Sequence, residues 1–115
     1  IGNSYTYKKD RLISSNNQEM VRNQRNTFLF NTQLSMRQEN AEMKKYRELI
    51  RSDEEIVQLR ESVDKSSAAQ LENGVINAND YLQDVNAAAQ ARQVRVVHAM
   101  QLLQAQYNYK TTSGN

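Results

Sequence analysis

Apolar residues in this chain recur at helical intervals and nowhere alternate with polar ones long enough to predict a strand. Leu49, Ile56 and Val63 stand seven residues apart, and Leu59 falls on the paired position of the same stripe. Further on, Leu82, Val85, Ala89, Val96, Ala99 and Leu103 advance in steps of three, four and seven, with Arg92 interrupting them. Such a stripe predicts a coiled-coil-like seam whose small residues allow close helix packing. Towards the N-terminus it thins to Ile13, Met20, Phe28, Leu34 and Ala41, with Asn and Gln between.

The helix breakers divide this pattern in one place. The chain has no proline, and its glycines are Gly2, Gly74 and Gly114. Only Gly74 is internal, so nothing else obliges the backbone to leave a helix. The prediction is an all-α hairpin: helix one over about 5–71, a turn at about 72–77 and helix two over about 78–110. Asn73-Gly74 can end helix one in a left-handed conformation. Asn77 then caps helix two, with Asp80 three residues later, near the positive end of the helix dipole.

At 1.5 Å per residue the arms would measure roughly 100 Å and roughly 50 Å. The expected architecture is a long antiparallel two-helix coiled coil with unequal arms. About half of helix one would then lack an intrachain partner, and a polar helix of that length is not stable by propensity alone. Another part of a parent chain, or neighbouring copies, is expected to cover it. The start at Ile1-Gly2-Asn3, with neither Met nor the apolar core of a signal peptide, gives the same expectation of a piece of something larger.

Composition removes most chemistry. Of the 115 residues only 38% are hydrophobic, while Asn and Gln number 25. The absence of cysteine excludes a disulfide scaffold, a Cys-ligated zinc site and a thiol enzyme. A net charge of +2 from 15 basic and 13 acidic residues shows no clustered basic face, so no nucleic-acid partner is expected. No stretch approaches the ~20 apolar residues of a membrane-spanning helix. Arg51 with Glu55, Arg60 with Asp64 and Glu61 with Lys65 are four apart, which fits a solvated helix face. Glu54-Glu55 and Glu39/Glu42 read the same way.

His98 is the single histidine and belongs to no ligand motif, so it reads as structural. Tyr5/Tyr7 and Tyr107/Tyr109 could mark a wet-to-dry boundary or simply pack. Nucleotide-binding and nucleophile motifs are absent. The reading is therefore not an enzyme, with no cofactor, no metal and no catalytic residue.

One stretch carries a resemblance. Leu71-Glu72-Asn73-Gly74-Val75-Ile76-Asn77-Ala78-Asn79-Asp80-Tyr81-Leu82 resembles the helix–turn–helix signature of the TolC family of outer-membrane efflux proteins. Asn86-Ala87-Ala88-Ala89-Gln90-Ala91-Arg92 continues it. Leu103-Gln104-Ala105-Gln106-Tyr107-Asn108-Tyr109 and Thr112-Ser113-Gly114 are similar to the way that family's long Ala/Gln-rich helix closes. The specific likeness covers about 45 residues, Gln70 to Gly114.

The resemblance implies a structural part of an efflux or secretion channel. Three protomers would build a periplasmic α-barrel beneath an outer-membrane β-barrel that is absent from this chain. The chain would be a periplasmic hairpin of a Gram-negative outer-membrane protein, forming part of the tunnel wall. Its tip, Leu71, Glu72, Asn73, Gly74, Val75, Ile76 and Asn77, would dock a periplasmic adaptor protein and, through it, an inner-membrane transporter. Asp80 and Gln83 would match positions that narrow the tube. Asp80 is open to two readings, a constriction residue or a support for the N-cap. Gln83 stands where the family's best-known member carries a second acid, and Asp84, the next residue, would point about 100° from Gln83. Leu71 and Ile76 replace aromatic and basic residues of the closed gate. The alternative is a non-transport coiled-coil scaffold or oligomerisation hairpin, dimerising through the Leu49–Val63 stripe.

Overall fold

In the computed structural model, residues 2–114 are described and form two α-helices, α1 (Gly2–Glu72) and α2 (Ala78–Ser113). No strand occurs among the described residues. The chain is all-α and a helical hairpin, with arms of 71 and 36 residues. It divides into two units, 1–37 and 38–115. In the first, α1 carries its apolar side chains in the open: Leu12, Met20, Phe28 and Phe30 are all exposed. The second unit holds the reversal and the helix pairing.

The reversal is a Schellman motif. Gly74 has φ of 74°, and its N–H donates to the Leu71 carbonyl at 3.1 Å while the Val75 N–H donates to the Gln70 carbonyl at 2.8 Å. These bonds satisfy carbonyls that the last turn of α1 would leave orphaned. Asn77 is the N-cap of α2, extended at φ −94° and ψ 171°, and its Oδ1 accepts from the Asp80 N–H at 2.8 Å. Asp80 in the first turn of α2 and Lys110 in the last complement the helix dipole, whereas α1 has neither device. The cap sets one expectation. Asn77→Ala should destabilise α2 by about 1 kcal/mol, read as a lower urea midpoint in circular dichroism. An unchanged midpoint would mean that the turn, and not the cap, fixes the helix start.

The packed seam lies one residue away from the predicted stripe. Ile56, Leu59, Leu82, Val96 and Leu103 are exposed, and Leu49, Val63, Val85 and Ala99 only half-buried. The buried residues are instead Met43, Asp53, Val57 and Ser67 on α1 and Ala88 and Ala105 on α2. Half-buried Tyr46, Ile50, Asp64 and Leu71, with Tyr81, Ala91, His98, Leu102 and Tyr109, complete two seven-residue series. The period of the prediction holds and its phase does not. The turn sets the phase: Leu71 and Tyr81 flank it as the first pair, and heptad spacing carries the seam onward from there. No large side chain is fully buried among the described residues. Small apolar groups and polar pairs hold the hairpin together.

Candidate functional site: the tip and the polar seam

Two surfaces of the second unit carry distinctive chemistry. The first is the tip. Glu72, Asn73, Gly74, Val75 and Asn77 are exposed, while Leu71 and Ile76 are half-buried. Val75 stands 70% exposed at the apex, and Leu82 is open on the first turns of α2. The tip thus presents backbone fixed by two caps, with apolar side chains offered to solvent. Asp80 and Gln83 are both exposed. The Asp80 backbone N–H is held by the cap, and its carboxylate points to solvent in the positive field of the α2 N-terminus. Asp84 turns away from them into the seam, where it accepts a hydrogen bond from the Ser67 hydroxyl.

The second surface is the seam, which the linear reading missed. The Asp53 carboxylate Oδ2 lies 2.6 Å from His98 Nδ1, with side-chain exposures of 8% and 22%. A carboxylate this sheltered needs a donor, and His98 supplies one across the interface. The Tyr46 ring lies 6.5 Å from the His98 ring, tilted by 37°, and Lys45 Nζ sits 4.7 Å from the Tyr46 centroid. Thr112 Oγ1 donates to Glu39 Oε1 at 2.8 Å, leaving Glu39 Oε2 buried without a partner. Arg92 pairs with Glu61 at 3.3 Å on the flank, where both side chains are nearly half exposed. Solvent screening leaves that pair worth about 0–1 kcal/mol.

These bonds share one geometry. Ser67–Asp84, Asp53–His98 and Glu39–Thr112 are each equidistant from the peptide bond between Val75 and Ile76. Along each helix they recur every fourteen residues, two heptads. The register falls out of the turn, and a fold made about its midpoint identifies all three pairs in the sequence. His98 lies in the seam, and its partner is Asp53.

Other candidates stay dispersed. Glu54, Glu55 and Glu42 are exposed, as are Tyr5, Tyr7 and Tyr107, while Tyr109 is half-buried. Among the described residues no group of three His, Cys, Asp or Glu side chains could hold a metal ion, and no helix is long and apolar enough to cross a membrane. The concave features are open. One, between the helices, has Ile56, Ala87 and Val94 on its walls. Comparison with family models, curated proteins and solved structures finds no match.

Proposed function

We propose that the chain is a periplasmic hairpin of a TolC-like, trimeric outer-membrane channel for efflux or secretion. In this reading α1 and α2 are tunnel wall, and the tip from Leu71 to Asn77 meets a periplasmic adaptor that links it to an inner-membrane transporter. One observation carries the reading. The left-handed Gly74, the Asn77 cap and the first-turn Asp80 occur in the order and spacing of that family's helix–turn–helix, at the one reversal of the chain. Two further features support it. The hairpin buries little of its own apolar surface, as a wall segment covered by neighbouring helices would. Its tip is hydrogen-bonded on both sides of the reversal and exposes Val75 at the apex, which suits docking without refolding.

The test uses the full-length protein that carries this segment, reconstituted in planar bilayers. The expected result is a trimer that conducts, with Asp80→Ala changing conductance or block by divalent cations. Loss of the acid removes one fixed charge per protomer from the pore mouth. A protein that neither trimerises nor conducts overturns the channel reading.

A second reading, a dimerising scaffold, is favoured by the exposed Ile56 and Leu59 beside Val94 and Val97, an apolar flank on both helices. It predicts a dimer of the chain that buries this flank and no conductance.

A further inference from the structure

We infer that Glu39–Thr112, Asp53–His98 and Ser67–Asp84 form a pairing code, which admits α2 to α1 in one register and rejects slipped alignments and foreign apolar helices. The inference is independent of the channel reading.

A long hairpin with seven-residue periodicity has a specificity problem. Sliding one helix past the other by a heptad restores the same pattern of seam positions, so an apolar seam alone discriminates weakly. Uncoded apolar stripes also stand exposed on these helices, at Ile56 and Leu59 and at Leu82, Val96 and Leu103. Each could accept a helix from another chain. The polar pairs resolve this because their spacing is two heptads and the layers between them hold alanine. In the observed register Tyr46 falls opposite Ala105, which is buried, and Arg60 opposite Ala91.

A slip of one heptad in either direction breaks all three pairs. Asp53 then faces Ala91 or Ala105, neither of which can donate to it. In one direction His98 meets Arg60 and Asp84 meets Gly74. In the other, Ser67 meets Asn77 and Glu39 meets Ala105. A slip of two heptads sets Asp53 against Asp84 in one direction; in the other it leaves Glu39 and Asp84 without their partners and carries the first part of α2 beyond the end of α1. A foreign apolar helix laid on the seam would bury the Asp53 carboxylate, its side chain now 8% exposed, with no donor at all. Buried polar groups of this kind cost little when matched and much when mismatched. The seam is therefore selective, while the apolar flanks remain available for other contacts.

The chain has no cysteine, so pairs introduced singly report register by disulfide trapping. Ile50→Cys with Leu102→Cys reads the observed register, because these positions fall opposite each other. Ile50→Cys with Tyr109→Cys reads a one-heptad slip. In the otherwise unaltered full chain the first disulfide should exceed the second by about tenfold or more, the discrimination expected of one mismatched buried pair. In the Asp53→Leu/His98→Leu background, which removes the most sheltered of the three pairs, that preference should fall by about fivefold or more, with helix content retained and melting temperature equal or higher. The exchanged pair, Asp53→His/His98→Asp, should restore the preference. Undiminished preference in the leucine background overturns the code. So does loss of helix there, which would make the pair a stabiliser and not a selector.

Discussion

Replacing His98 with alanine is expected to lower hairpin stability by about 3 kcal/mol, more than any other single truncation on α2. The loss of a ring from a half-buried position is the smaller part of this. The larger part is the fate of Asp53, whose carboxylate would keep its sheltered place on α1 without the donor 2.6 Å away. Removing one member of a buried pair leaves the other charge uncompensated, which costs roughly 3–5 kcal/mol in a dry interior. The lower end applies here, because deleting the imidazole opens a path for water from a side that is already 22% exposed. Urea unfolding followed by circular dichroism measures the effect. Asp53→Leu/His98→Leu should recover the whole of the loss or more in the same assay, because both the charge and its partner are gone. A His98→Ala midpoint within ~0.5 kcal/mol of the parent protein, on the linear scale of denaturant unfolding, would mean that the carboxylate rehydrates at no cost and contributes nothing to the seam's selectivity.

The same pair explains what could and could not be read from the linear sequence. The all-α hairpin was legible because it depends on local signals: no proline, one internal glycine, and Asn77 and Asp80 placed to open a second helix. The phase of the seam was not. Leu49, Ile56 and Val63 make an unbroken apolar heptad run, whereas the equally apolar Ile50 and Val57 beside them are followed seven residues on by the charged Asp64. The structure instead packs Met43, Val57 and the polar Asp53 and Ser67 against the small Ala88 and Ala105. A seam of small and polar residues has a weak periodic signature, so the stripe beside it dominates.

Nor does local reasoning pair Asp53 with His98, which are 45 residues apart. The pairing needs the position of the turn together with a constant antiparallel register. Once Gly74 is placed, the information is in the chain, because equidistance from the Val75–Ile76 bond selects Asp84, His98 and Thr112 for Ser67, Asp53 and Glu39. At the tip, Asp84 is separable from Gln83 by helix angle, about 100°. That it enters the seam follows from the phase.

Gly74→Val carries the other large expected effect, about 2–3 kcal/mol of destabilisation, and its origin is purely conformational. A Cβ at Gly74 would meet nothing within 4 Å, so no clash contributes. The backbone, however, holds φ at 74°, where an L-residue is disfavoured by about 1–2 kcal/mol and a β-branched one by more. The Schellman bonds from Gly74 and Val75 require that value, so the chain cannot relax without releasing the Leu71 and Gln70 carbonyls and moving the start of α2. Gly74→Asn should cost least, since Asn tolerates the left-handed region, and Gly74→Ala should fall between.

Gly114 is the internal control. Its φ is 81° and its Cβ position is equally open, so the local strain of Gly114→Val is the same. There the chain can escape by unwinding the last turn of α2, which releases only the bonds to the Lys110 and Thr111 carbonyls. That variant should therefore lose about 1 kcal/mol or less in the same unfolding assay. Equal losses at the two glycines would show that the reversal is as free to fray as a helix end, and the fixed register that aligns Asp53 with His98 would then need another cause.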